Sequence, residues 1–172
     1  MQKLLLIILF ASLLWSCNLV TKDAPPPEQQ ALEFGEMKYG NICHEQLKQL
    51  SRGNMDDFIN NFADNVIYRF NNGDSIIGKN AVAEYWRDRR NNVIDKIEFY
   101  NDIWLPLKVN DSSQDMRMGM WVLGWYKTSS TYKTGKSMNQ FIHTMYHFNE
   151  QEKIDEVIQY YDRLPIMQAT TR

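Results

Sequence analysis

Three spacings of apolar residues succeed one another along the chain. Across residues 4–14 they run almost unbroken, across 42–62 they recur every three or four positions, and from Ile94 onward they tend to alternate. The first block falls short of the ~20 apolar residues that a bilayer span needs. The second spacing marks amphipathic helices and the third marks strands.

Ile42 or Cys43, Leu47 and Leu50 share one face of a first helix. Arg52-Gly53-Asn54 then supplies a glycine to end it and an asparagine to cap a second helix, which would carry Met55, Phe58, Ile59 and Phe62 on one face. Residues 66–70 and 75–77 flank the turn Asn71-Asn72-Gly73-Asp74, so a two-strand hairpin is expected. Asn80 is read as the cap of a third helix bearing Val82, Tyr85, Trp86 and Arg89. Four strands follow, near 96–109, 116–129, 137–149 and 153–162, with polar, turn-rich connections that favour an antiparallel meander. Gly119 and Gly124 are expected to mark bulges or bends in the second of these. In that strand both Met118, Met120 and Val122 and the opposite set Trp121, Leu123 and Trp125 are apolar. Both faces should therefore be covered, one by the helices and the other by a second subunit.

Met1-Gln2-Lys3 gives the apolar block a positive start, the pattern of a secretory signal. Leu14-Trp15-Ser16-Cys17 looks like a lipobox, with Trp15 departing from the small residue usual there. The resemblance implies a diacylglycerol on Cys17, which becomes the new N-terminus. Cys43 would then have no partner for a disulfide and reads as a small buried hydrophobe. Residues 18–36 are polar, contain Pro25-Pro26-Pro27 and lack an apolar period, so they read as a tether reaching roughly 60 Å when extended. The expected division is a signal peptide at 1–16, a lipid-anchored flexible tether at 17–36, one domain at 37–165 and a tail at 166–172. This places the protein in the cell envelope, held to a membrane by lipid. Asn18 supplies no inner-membrane retention acid, which favours the outer membrane.

Removing residues 1–16 takes away Lys3 and no acid, leaving a net charge of −3. That balance argues against a nucleic-acid partner. Aromatic residues make up 13% of the chain, enough to build one compact core.

The order helix, helix, hairpin, helix and four strands resembles the superfamily named after nuclear transport factor 2, which includes ketosteroid isomerases and polyketide cyclases. The resemblance rests on Arg52-Gly53-Asn54-Met55-Asp56-Asp57-Phe58, Phe62-Ala63-Asp64-Asn65-Val66, and Gly78-Lys79-Asn80-Ala81-Val82-Ala83-Glu84-Tyr85-Trp86. Tyr146-His147-Phe148-Asn149, Lys153-Ile154 and Tyr160-Tyr161-Asp162 add the last hairpin, so about 37–164 is covered. It implies an α+β, cone-shaped fold, with three N-terminal helices packed against a strongly curved, mostly antiparallel sheet around a cavity. Matching this chain to ketosteroid isomerases puts Gln46, Thr144 and Phe70 where those enzymes carry a tyrosine, an acid and the catalytic aspartate. Phe70 cannot accept a proton, so steroid isomerase chemistry is excluded. The same matching turns Gln140, Ile142, Thr144 and Tyr146 inward beside Val157, Gln159 and Tyr161. Tyr68, Phe70 and Trp86 or Tyr85 would close the cavity. Such a wall suits a small, mostly apolar or aromatic ligand.

His143 and His147 sit four apart on an expected strand, roughly 13 Å from each other and too far to share a metal. Their parity puts them on the outer face. A register shift of one would turn His143 inward as a general base, with Asp162 or Tyr68 beside it. No phosphate-binding loop, cysteine pair for zinc or nucleophile elbow is present, and no motif calls for a cofactor or metal. Three functions remain: a tethered small-molecule-binding domain without a catalytic set, which the residues favour; a hydrolase, dehydratase or isomerase using His143; and an interaction domain pairing through the outer sheet, as a homodimer or with another envelope protein.

Overall fold

The computed structural model describes residues 30–111 and 116–171; the signal segment, Cys17 and residues 18–29 of the expected tether lie outside them. The elements are β1 (Leu32–Phe34), α1 (Met37–Arg52), α2 (Met55–Asn60), β2 (Phe62–Phe70), β3 (Ser75–Ile77) and α3 (Lys79–Asp88). After them come β4 (Ile94–Val109), β5 (Gly119–Tyr132), β6 (Ser137–Phe148), β7 (Ile154–Tyr160) and α4 (Arg163–Thr170). The fold is α+β: one seven-stranded sheet in the order β1-β4-β5-β6-β7-β2-β3, antiparallel except between β2 and β7, with the helices on its inner face.

The helices form where the apolar spacing put them, and their ends show why. Gly53 closes α1 in the left-handed region at φ 78°, its N–H reaching the carbonyls of Gln49 and Leu50. Asn54 stands at the α2 cap position, but its side chain bonds Gln49 rather than the helix backbone. α3 begins one residue before the expected cap: Gly78, at φ 89°, precedes Lys79, and its N–H donates to the Val66 carbonyl. Phe62 opens β2 instead of closing α2, because the chain is already paired there with Ile154 of β7. Two elements fall in segments read as unstructured. Residues 32–34 of the expected tether pair with 107–109 as an edge strand, and the expected tail forms most of α4, where Asp162 accepts the Leu164 N–H.

Curvature arises at a place the glycines did not mark. The β4–β5 register slips between Ile94 and Lys96 and again between Tyr100 and Ile103, where Asn101 takes a left-handed φ of 53°. Such extra residues bend a strand. Pairing runs unbroken through Gly124 and begins at Gly119, the first residue of β5. Those glycines make room instead: a Cβ on Gly124 would collide with the Trp104 ring, and one on Gly119 would lie 2.7 Å from His147 Nε2. The inner face and helices together bury Cys43, Leu50, Phe58, Phe62, Val66, Val82, Val122 and Val157. Burial pushes the Cys43 thiol well above its ordinary pKa, which makes it an inert core residue.

Candidate functional site

Inward-facing residues alternate along each strand, so neighbouring strands present matched rows to the helices. Tyr126 faces Ile142, Thr128 faces Gln140, and Tyr146 is flanked by Val122 and Val157. Between this wall and α1 to α4 lies a cavity of about 60 Å³, room for a few waters. Only Tyr85, Arg89, Phe99, Gln140, Tyr161 and Ile166 among its lining residues retain exposure, and they mark its mouth.

The sequence-derived pocket residues Gln46, Tyr68, Trp86, Gln140, Ile142, Tyr146, Gln159 and Tyr161 all line this space. Phe70 does not. It packs one layer out, against the rings of Tyr68, Tyr85 and Tyr161, which do line it. Thr144 also falls outside, because its hydroxyl is taken up by Tyr126 at 2.7 Å. That bond belongs to a buried chain in which Tyr68 donates to Gln159 at 3.1 Å and Gln159 approaches the Tyr126 hydroxyl at 3.5 Å. Burial raises the pKa of Tyr126, and pushes Tyr68 and Tyr146 well above the ordinary phenol value. These hydroxyls are therefore neutral hydrogen-bonding groups at physiological pH rather than bases.

No carboxylate or histidine is among the residues lining the cavity, and Arg89 is its one formal charge. Three polar atoms on the wall are buried without a close hydrogen-bond partner: Gln140 Nε2 has none, while Trp86 Nε1 and Ser130 Oγ have only the Tyr68 and Tyr132 hydroxyls beside them. Gln140 is oriented by its other end, since Oε1 accepts the Asp162 N–H at 3.1 Å and so leaves the amino group unpaired. Sequence reasoning missed Arg89 and Ser130 as site residues. Arg89 was legible only as a helix position. It enters the mouth because α3 runs on into a π turn, Arg89–Val93, in which the Ile94 N–H reaches back to the Arg89 carbonyl. Such widened turns recur at functional sites.

The histidines lie elsewhere. His143 is on the outer face, between the rings of Trp125 (4.8 Å) and Tyr160 (5.8 Å), with Nδ1 donating to the Gly124 carbonyl at 3.0 Å. It does not line the cavity, so the premise of an enzyme using it as base there is not met. His147 shares that parity but is buried rather than at the surface: Nδ1 is 2.5 Å from Asp155, Nε2 is 3.0 Å from the Met118 carbonyl, and Arg117 closes over Asp155. His44 pairs with Asp102 at 2.6 Å where β4 bulges. Burial raises the Asp102 pKa, but hydrogen bonds from His44 and Trp104 outweigh it and leave the carboxyl below its ordinary value. Among the described residues no group of three or more His, Cys, Asp or Glu could hold a metal, and no helix is long and apolar enough to cross a membrane.

No protein-family model matches this chain, and no curated protein matches it in sequence. Solved structures do match. A proposed polyketide cyclase from Xanthomonas campestris pv. campestris superposes with a TM-score of 0.63 at 15% identity, over 78% of this chain and 98% of its own. An LEH-like epoxide hydrolase of M. tuberculosis gives 0.59 at 13% identity, over 78% and 90%. A proposed isomerase from Bacillus subtilis gives 0.61 at 15% identity, over 77% and 91%. At such identities the likeness concerns the fold alone.

Proposed function

We propose, for a chain with the nuclear-transport-factor-2-like fold, a small-molecule-binding domain held to a membrane of the cell envelope by lipid on Cys17. The observation carrying this reading is the aromatic cavity, open at one mouth, that holds the unpaired Gln140 amino group and weakly partnered Trp86 and Ser130 yet no acid or imidazole. Leaving a donor or hydroxyl buried and unpaired costs about 1–3 kcal/mol, a cost that a bound molecule with acceptors removes. The neighbours of this fold include enzymes, but general acid–base chemistry requires titrating groups beside the substrate. The small volume favours ligands of about one ring.

Benzamide, neutral and water-soluble, is a suitable probe. Added to the full chain in detergent, it should shift the Trp86 indole N–H resonance saturably. Ser130→Leu should abolish that shift without unfolding the domain, because it fills empty space and removes a buried hydroxyl that has only Tyr132 beside it. A Trp86 that answers neither benzamide nor its charged counterpart benzoate in the wild type, or an unchanged response in Ser130→Leu, would refute the reading.

A second reading, self-association, is favoured by the outer face. Ile103, Trp125, His143 and Tyr160 form one cross-strand row, with Phe141 70% exposed in the next. A two-fold axis over such a row buries like against like. Sedimentation equilibrium should then find a dimer, and Trp125→Glu a monomer; a monomeric wild type removes this reading.

A further inference from the structure

The mouth of the cavity is positively charged and its positive charge is unanswered. Arg89 has its guanidinium over the Tyr85 ring, 5.4 Å from the centroid. Among the described residues no ion pair engages it. Three tyrosines surround the charge. For Tyr85 and Tyr132 burial raises the hydroxyl pKa and Arg89 works against it; for Tyr161 Arg163 opposes burial first and Arg89 second. The next residue, Arg90, turns away toward Gly53. Arg163 is the other cation near the mouth, and Asp74 lies 3.9 Å from it. One cation is therefore left over where the cavity opens, and just inside it stand Gln140 Nε2, buried and unpaired, and Trp86 Nε1 and Ser130 Oγ, buried with only the Tyr68 and Tyr132 hydroxyls near them.

We infer that the ligand is a small monocarboxylic acid with a compact apolar body, its carboxylate paired with Arg89 and accepting from Gln140, Trp86 or Ser130. This rests on the binding reading above and names the ligand class for the same cavity. A planar guanidinium meets the two oxygens of a carboxylate with two parallel N–H bonds. The groups on offer are chiefly donors, so an anion that only accepts suits them better than an amide or an alcohol. A phosphate monoester fits less well: its second negative charge would enter beside a cation that already has Asp74. The body of the acid would lie against Phe58, Ile94, Ile97 and Met138. The volume of about 60 Å³ limits it to one ring or a short branched chain unless the walls move.

Benzoate and benzamide have one shape and differ in charge, which makes them the probe pair. Both are titrated into the full chain in detergent while the Trp86 indole resonance is followed. Benzoate should bind at least about tenfold more tightly, the range of a charge-assisted hydrogen bond. Arg89→Gln should bring benzoate down to the level of benzamide, and Arg89→Lys should restore part of the difference. Equal affinity of the two probes in the wild type, or a benzoate preference that survives Arg89→Gln, would overturn the carboxylate inference while leaving the cavity as a binding site. Failure of both probes to move Trp86 would overturn the binding reading and this inference with it. Should Arg89→Gln not fold, the wild-type comparison and Arg89→Lys still decide.

Discussion

Asp155→Ala should lower the free energy of unfolding by about 3 kcal/mol, a large share of the ~5–15 kcal/mol that holds a domain of this size together. Asp155 is 5% exposed and His147 3% exposed. The imidazole is held on both sides by acceptors, Asp155 at Nδ1 and the Met118 carbonyl at Nε2, and the Trp121 ring packs against it edge-on at 4.9 Å. A carbonyl only accepts, so Nε2 donates to Met118, and Asp155 is the side-chain partner left for Nδ1. Removing the carboxylate strands Nδ1 in the interior and frees Arg117, which is half-exposed and contributes the smaller part. Asp155→Asn keeps an oxygen acceptor of the same shape and should cost less than Asp155→Ala. The check is urea denaturation of wild type, Asp155→Ala, Asp155→Asn and His147→Leu, with the double mutant closing the cycle. A loss below ~1 kcal/mol in Asp155→Ala, or strict additivity of the two single changes, would show that the pair does not act as a unit.

The cavity wall was readable in advance because it depends on strand parity and a few anchors. Once the chain is matched to the ketosteroid isomerases, alternation alone sends Gln140, Ile142 and Tyr146 to one face and His143 to the other. Parity does not say what a side chain meets when it arrives. Thr144 faces inward as expected and is consumed by Tyr126, while Phe70 is screened by the very rings expected beside it. Likewise His147 has outer parity, yet its burial depends on Asp155 from the next strand and on Arg117 across the sheet. Gly124 was singled out for its lack of a side chain, but its reason lies twenty residues away in the Trp104 ring. The three residues of β1 are too few to show a period, and the π turn that carries Arg89 to the mouth has no signature in composition. Local spacing therefore specified the elements, whereas the chemistry of the site came from contacts between residues far apart in sequence.

Cys17→Ser should abolish incorporation of labelled fatty acid and move the protein out of the lipid-anchored fraction. This follows from proposing a thioether between that thiol and diacylglycerol, a bond that serine cannot form. Two acyl chains or more hold a protein stably at a bilayer, whereas one chain holds it only marginally, so the change in partitioning should be near complete. Unchanged labelling, or membrane association that survives extraction of peripheral proteins, would sink lipidation at Cys17. Trp15→Ala supplies the converse test: by restoring a small residue before Ser16 it should speed processing of the precursor in a pulse-chase. The strand β1 sharpens what the anchor does. With 32–34 paired to the sheet edge and the carbonyls of Gln30 and Ala31 accepting from Asn110, the end of the expected tether belongs to the folded domain. β1 joins β4 at 107–109, while the cavity mouth is marked on the same strand by Phe99, up to about 30 Å back along it. The described chain therefore joins the sheet at the end of β4 remote from Phe99, and an anchor on Cys17, as proposed, would attach to the domain away from the mouth.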